Sequence, residues 1–380
     1  MRAGWTTRPL GDLCEVLDSR RKPVTKKDRT GGEYPYYGAS GILDYVDGYL
    51  FDEPLVLLGE DGAKWGAGES SAFAIEGKCW VNNHAHVLRP NRDKLRDAWL
   101  IYVLNDADLL DFVSGLTVPK LNQANMREIP IPLPLLAEQD RIVAILDQSF
   151  DAIASPKANA ERSLRMAREV FDAELLDVFA TFVPPVAHQT LSEVCLTFGR
   201  GKSKHRPRND PKLYGGPYPF IQTGDVRNAG QLITEHTQTY SAAGLAQSKL
   251  WPKGTLCITI AANIAETGIL TFDACFPDSV IGAVVDPKQT TTKFVEYLLR
   301  TVKADLKAKG KGTAQDNINL ATFENERYPF PDLPTQSATV ERFDALLAEV
   351  QTLEDLYERK LTALDELRTS LLHQAFHGDL

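Results

Sequence analysis

Apolar residues recur every three or four positions along two long stretches of this chain. In the first, the stripe runs Ile142, Leu146, Ser149, Ile153, Pro156, Ala160, Leu164, Ala167, Phe171, Leu175 and Val178. In the second it runs Val340, Phe343, Leu347, Val350, Leu353, Tyr357, Leu361, Leu364, Leu367 and Leu371. This period predicts one long amphipathic helix within 136–183 and another within 335–380. Helices of that length leave much apolar surface bare unless a comparable partner lies alongside. The two are therefore expected to pair as an antiparallel coiled coil. The expected packing positions are Ile142, Leu146, Ile153, Leu164 and Phe171 on one helix, and Val340, Phe343, Leu347, Val350 and Leu364 on the other. Pro156 lacks an N–H and crowds the turn before it. The Ser155-Pro156 step is therefore expected to kink or break the first helix.

Outside these helices the pattern changes to short runs bounded by Gly, Asn and Asp. PLVLLG (54–59), FAIEG (73–77), HAHVLRP (84–90), LCITIA (256–261) and VIGAVVD (280–286) read as strands. DAWLIYVLNDADLLDFV (97–113) and TTKFVEYLLRTVKADLKAKG (291–310) read as helices. The class is α+β, with mixed α/β regions at 1–135 and 184–334. Each region ends alike. GLTVPKLNQANMREIPIPLP (115–134) and GTAQDNINLATFENERYPFPDLP (312–334) both carry an apolar-Asn pair, Leu121-Asn122 and Ile318-Asn319, and then alternating prolines. Those prolines hold the exit extended. Near the starts, YPYYGASG (34–41) parallels YPFIQTGD (218–225). The simplest organisation is domain, helix, domain, helix: one unit duplicated in tandem, with longer loops in the second copy.

Composition is that of a globular protein, with 43% apolar and 24% charged residues. No apolar run is long enough to span a membrane. MRAGWTTRPLGDL lacks a signal-peptide core, and the five cysteines form no CxxC pair. A reduced, cytoplasmic protein is the expectation. The net charge of -9 hides a division. Region 1–135 holds 16 Lys and Arg against 19 Asp and Glu, and 184–334 holds 17 against 14. The helical segments hold 5 against 9 and 4 against 9.

No GxxxxGK[ST] loop, no GxGxxG after a strand and no [ND]PP[YF] tetrapeptide occurs. His84 and His86 alternate in NNHAHVL, which puts both on one face of a strand beside Asn82. With Cys79 they make a weak case for zinc; polar or base-edge contacts fit better, and no metal is expected. QTGDV and ANIAETG read as turn caps.

The strongest local signal is GRGKSKHRPRNDPK (199–212). Arg200, Lys202, Lys204, His205, Arg206, Arg208 and Lys212 stand there against one acid, Asp210. Gly- and Pro-rich and without apolar period, it reads as a mobile loop suited to DNA phosphates. SRRKPVTKKDR (19–29) occupies the matching place of the first copy, with Lys22, Lys26, Lys27 and Arg29. Gln222 and Thr223 follow a strand and are candidates for base edges, Gln being able to pair with adenine. Asn82 and His84 are the corresponding candidates in the first copy.

Taken together, the chain resembles the specificity (S) subunits of type I restriction–modification systems along essentially its whole length. NMREIPIPLPLLAEQDRIVAILD (125–147) is similar to the family signature, with Leu135 where a second proline is common. YPFPDLPTQSATVERFDALL (328–347) is its more divergent second copy. Further resemblance lies in residues 34–63, 72–88, 218–226 and 257–282. The resemblance implies two target-recognition domains, each reading half of a split, asymmetric DNA site, and spacer helices that set the gap. It implies no catalytic centre and no cofactor in this chain. Two methyltransferase (M) subunits would bind S-adenosylmethionine and methylate adenine N6. Restriction (R) subunits would add ATP- and Mg2+-dependent translocation and cleavage. Two rivals fit the same patterns: a modification-only or other phage-defence complex, and a DNA-independent scaffold, which would tolerate reversal of both basic loops.

Overall fold

The computed structural model describes residues 4–115, 117–261, 264–310, 320–377 and 380. Two compact units divide the chain: residues 1–161 with 358–380, and residues 162–357. In the first, the elements run β1 (Thr6–Pro9), α1 (Leu10–Leu13), β2 (Cys14–Val16), β3 (Gly31–Gly38), β4 (Gly41–Val46), β5 (Phe51–Asp52), β6 (Leu55–Gly59), β7 (Ala72–Ile75), β8 (Lys78–Val81), β9 (Ala85–Pro90), α2 (Asp97–Asp106), α3 (Gln123–Arg127) and β10 (Pro130–Leu133). The long helix α4 (Leu136–Ala180) follows. The second series is β11 (Ala187–Gln189), β12 (Cys195–Arg200), β13 (Tyr214–Phe220), α5 (Thr223–Asn228), β14 (Leu232–Ile233), β15 (Gln238–Tyr240), α6 (Ala242–Ala246), β16 (Leu250–Trp251), β17 (Leu256–Thr259), β18 (Thr267–Leu270), β19 (Ala274–Cys275), β20 (Val280–Val285), α7 (Thr292–Gly310), α8 (Leu320–Glu324) and β21 (Tyr328–Phe330). Helix α9 (Leu333–His377) closes it.

The duplication is written in the topology. One sheet has the order β2-β9-β6-β7 in the first unit and β12-β20-β17-β18-β14 in the second. The other has β4-β3-β8-β5 and β15-β13-β19-β16. In both copies one pair of this sheet is parallel, Tyr36 against Trp80 and Phe220 against Cys275. The exit strands pair back onto the entry strands, β10 on β1 and β21 on β11. Following the registers, Cys14 and Cys195 occupy equivalent places, against Pro90 and Val285. The second copy is longer where expected: two residues join β3 to β4, whereas residues 221–237 with α5 and β14 join β13 to β15.

The buried apolar runs serve two cores at once. Along β6, Val56 and Leu58 face the core that α2 covers, and Leu55 and Leu57 face a second cluster with Phe51 and Val81. A strand covered on both faces reads as a continuous apolar run. In β17, Leu256 and Ile258 enter one core and Cys257 the other.

Within each unit the portions of α4 and α9 run antiparallel. In the first unit Lys157 pairs with Asp365 at 2.6 Å, and Arg368 lies 5.1 Å over the Phe150 ring. Ile142 and Leu146 share a core with Leu372 and Ala375. In the second unit Arg168 pairs with Glu354 and Glu174 with Arg342. Phe171 and Phe179 meet Phe343 at 6.5 and 5.9 Å between ring centres. Ile153, Phe171, Phe343 and Val350 are buried, and Leu164, Val340, Leu347 and Leu364 half-buried.

Two details differ from expectation. Helix α4 runs through Pro156 without a break. A proline removes one helical hydrogen bond, and burial of Ile153 and Ala160 on either side holds the turn. On α9, Leu353 and Leu367 are exposed, while Leu372 and Ala375 are buried. A helix drifts against a strict seven-residue seam, and the last turns instead meet the domain, Phe376 lying edge-on to Trp99 at 5.3 Å. The signature's glutamine has a structural reason. Buried Gln139 donates to the carbonyls of Lys94 and Pro134 and accepts from the Arg96 N–H. Gln336 likewise donates to Gln289 and Pro331. Each ties a helix start to its proline exit.

Candidate nucleic-acid interface

Lys22, Asn82 and His84 in the first unit, and Lys202, Gln222 and Thr223 in the second, lie at one end of the sheets, whereas Lys26, Lys27 and Arg29 precede the start of β3. In the first unit β3, β6 and β8 all finish there. The Lys22 N–H donates to the Val81 carbonyl (3.2 Å), and the Lys22 carbonyl accepts from Trp80 Nε1 (2.6 Å). In the second unit the Lys202 N–H donates to the Phe276 carbonyl (3.1 Å), and its carbonyl accepts from Ser248 Oγ (2.8 Å). Val81 and Phe276 are one residue beyond the parallel partners Trp80 and Cys275. Lys22 and Lys202 are therefore structural equivalents, each fixed at both backbone groups, with its side chain exposed.

The rest of each basic loop sorts into cations that hold the loop and cations that are left over. In the second unit the acids are taken. Asp210 accepts from Lys212 Nζ (3.0 Å) and His205 Nε2 (2.9 Å), and Lys212 first, then His205, hold its carboxyl below the usual range. Asp278 takes Arg208 at 2.9 Å, and its carbonyl takes Arg200 Nε at 2.7 Å. Arg206 donates to the Ser203 and His205 carbonyls. Lys202 and Lys204 have no ion pair among the described residues. The expected mobile loop is thus a tethered one. Gly201 lets it pass the strand end: a Cβ there would sit 2.2 Å from the Phe276 carbonyl oxygen.

In the first unit Arg29 bonds the Val24 carbonyl and Asp44 Oδ2 (3.0 Å) and lies 4.3 Å over the Tyr36 ring. Arg29 is a brace of the β3–β4 hairpin. Arg20 is paired with Glu53 and stacked on Phe51. Lys22, Lys26 and Lys27 are exposed without an ion pair among the described residues. At this same end the hairpin exposes Ile42 (49%) and Leu43 (57%).

Asn82 needs correcting. It is 3% exposed; its N–H donates to the Tyr37 carbonyl and its Oδ1 accepts from the His84 N–H. Its Oδ1 shapes a turn, and the residue is almost wholly buried. Gln222 and Thr223 sit at the strand end as half-buried residues opening α5, where the Gln222 N–H donates to Asp225 Oδ2 (2.8 Å). His84 reaches Asp61 at the surface. The Asn122 side chain caps α3 through the Asn125 N–H (2.9 Å). Its second-copy counterpart, Ile318-Asn319, lies outside the described residues.

Sequence patterns did not reveal a buried charge network beneath the first loop. Fully buried His86 bonds Asp18 Oδ2 (2.6 Å) and the Leu121 carbonyl (2.7 Å). Glu60 meets Arg21 on one oxygen and Lys120 on the other (2.7 Å). Burial pushes both carboxyls up. His86, the Val87 N–H and Arg21 outweigh it for Asp18, and Lys120, Arg21 and His86 for Glu60, so both are held below their ordinary values. Asp18, Glu60 and His86 are close enough to ligate a cation, but Arg21 and Lys120 already occupy both Glu60 oxygens. In the second unit the equivalents of Glu60 and His86 are buried Ile260 and Ile281, as the matching registers show.

The sequence model of the type I restriction modification DNA specificity domain matches residues 2–161 and again residues 186–359. The chain belongs to this specificity family. A Haemophilus influenzae protein named for a type I restriction enzyme specificity subunit is 39% identical over 89% of this chain and 87% of its own length. The EcoDI specificity subunit of Escherichia coli is 22% identical over 99% and 88%. In fold, the chain is similar to one in a solved type I restriction–modification system (TM-score 0.76, 18% identity, 100% and 99% covered). It is also similar to the HsdS subunit of Thermoanaerobacter tengcongensis (TM-score 0.55, 18% identity, 100% and 98% covered). As a specificity-family member it carries the domain twice, once per repeat. No helix among the described residues is long and apolar enough to cross a membrane.

Proposed function

We propose that this chain is the non-catalytic, cytoplasmic reading subunit of a type I restriction–modification enzyme. Each unit reads one half of a split, asymmetric DNA site, and the paired helices set the gap. Two methyltransferase subunits bind S-adenosylmethionine and carry adenine N6 methylation. Restriction subunits supply the ATP- and Mg2+-dependent steps. The observation that carries the reading is the equivalence of Lys22 and Lys202. Two copies of one fold present an uncompensated lysine at the same sheet end, its N–H anchored to the equivalent strand carbonyl and its carbonyl to a side-chain donor. Around that fixed point the loops differ: a tight hairpin with Ile42 and Leu43 in one copy, α5 with Gln222 and Thr223 in the other. Phosphate contacts set register and the variable loops read bases, so two unlike half-sites follow. Lys204, Lys26 and Lys27 extend the phosphate track.

The test is to map adenine methylation in cells co-expressing this chain with its methyltransferase. A two-part motif, present only with this chain, is expected. Exchanging residues 184–334 for another such domain should change one half alone. A motif that is continuous, or unaltered by the exchange, overturns the reading.

A further inference from the structure

The two copies differ at one aromatic platform beside the basic loop. By register, Phe51 and Trp251 are equivalent: Phe51 pairs with Cys79, Trp251 with Ala274, each one residue before the parallel partner Trp80 or Cys275. Both rings are about 1% exposed and both carry a cation on one face. On Phe51 it is Arg20, 4.6 Å from the ring centre, neutralised by Glu53 and bonded to the Leu50 carbonyl. On Trp251 it is Lys249, whose Nζ stands 3.5 Å from the ring centre. Lys249 has no carboxylate partner among the described residues, and its charged neighbour is Lys202. Trp251 in turn stacks on Phe276 at 5.0 Å, the residue whose carbonyl anchors Lys202. The backbone of Lys202 is bonded to Ser248, the residue before Lys249.

The Ser248 bond and the Trp251–Phe276 stack thus bring the Lys202 backbone and the Lys249 side chain onto one platform, while Asp210 and Asp278, the acids of the loop region, are spent on other cations. Burial and then the Lys202 charge lower the Lys249 pKa, so the pair is unfavourable as it stands. An anion bound beside both lysines offsets the repulsion and the cost of burying the Lys249 charge. We propose that Lys202 and Lys249 form an anion site that takes one backbone phosphodiester of the second half-site, a contact with no counterpart in the first unit. The proposal rests on the DNA-reading function and names its ligand. The indole face positions Lys249 through a cation–π contact, and a phosphate held there fixes register without reading sequence.

The test uses the full complex of this chain with its methyltransferase and a duplex carrying the mapped motif. Affinity is measured across a salt series. Lys249→Met keeps the stem over Trp251 and removes the charge. It is expected to make the slope of log K against log salt shallower by about 0.9, the release of one phosphate's counterions. Lys249→Arg should restore it. Lys288→Met, on the turn after β20 at the opposite end of that strand, controls for loss of one charge and should leave the slope alone. The methylated motif should stay the same in every variant. An unchanged slope for Lys249→Met in a folded complex overturns the anion site while leaving the DNA-reading function intact. So does altered base preference in the second half-site, which would make Lys249 a base reader. Absence of specific binding by the unmodified complex overturns the DNA-reading function itself, and the site with it.

Discussion

Glu60→Gln removes the charge that joins Arg21 to Lys120 while nearly preserving shape. Arg21 is 13% exposed at its side chain and Glu60 9%, so this arm lies in the buried regime, where stranding one partner costs about 3–5 kcal/mol. Arg21 retains Asp18 at 3.3 Å and the Ala85 carbonyl at 2.7 Å, which places the loss at the lower end, about 3 kcal/mol. The Lys120 arm, with that side chain 43% exposed, adds at most about 1 kcal/mol. For a unit of this size, a total of about 3–4 kcal/mol should lower the midpoint of thermal unfolding by roughly 6–16 °C. Four of the five tryptophans, Trp5, Trp65, Trp80 and Trp99, lie in the first unit, so fluorescence reports mainly its unfolding. The pH dependence has a definite sign. Asp18 and Glu60 are held below their unfolded values, so their contribution is full above about pH 5 and is lost as pH falls through the folded values. The gap between native protein and variant should therefore narrow on acidification. A midpoint unchanged at pH 7, or a gap that widens in acid, refutes this account of the network.

Three further outcomes follow from the packing. Phe343→Ala, deleting a fully buried ring that meets Phe171, Phe179 and Tyr297, should cost the second unit about 3–5 kcal/mol, read by urea unfolding. Replacing Ile42 and Leu43 together by Ser should change stability by less than about 0.5 kcal/mol, because both are exposed. It should nevertheless relax base discrimination in the first half-site by about 1–3 kcal/mol, measured with single-base variants of the mapped motif. Asn122→Ala should cost about 1 kcal/mol by leaving the Asn125 N–H uncapped, seen as a lowered melting temperature of the first unit.

The architecture was legible because it rests on period and punctuation. The seam from Ile142 to Val178, the exit prolines and the paired YPYY and YPFI segments each report backbone geometry, which is local. Basic loops at matching places were legible as charge runs, and their equivalence appears in the Lys22 and Lys202 hydrogen bonds. Pro156 misled because the rule against proline in a helix is local, whereas the burial of Ile153 and Ala160 that offsets it is tertiary. Asn82 misled for the converse reason: the fold buries it, and its Oδ1 holds a turn. Lys249 was invisible since AQSKLWPKG contains no charge run. What marks it is a register that places Trp251 where the first copy has Phe51. The Glu60 network joins residues as far apart as Asp18 and Lys120, and no spacing rule links them.

The comparison of copies also bears on what the Glu60–His86 network is for. The fold does not require it, since Ile260 and Ile281 fill the same places in the second copy and sit in its core. Apolar replacement of buried charges commonly preserves or raises stability, so stability alone does not account for a network of five charged or titratable groups. Its position does. Arg21 is the residue before Lys22, and the Arg21 side chain is clamped by Glu60, Asp18 and the Ala85 carbonyl. The loop following β2 is thereby pinned from inside the domain. In the second copy the pinning comes from within the loop and its rim, through Asp210, Asp278 and Gly201. Two different sets of side chains hold the same lysine at the same strand end. The conserved feature of the repeat is thus a backbone position, while the means of securing it and the loops beside it are free to diverge. A chain that reads two unlike half-sites with one duplicated fold requires that division.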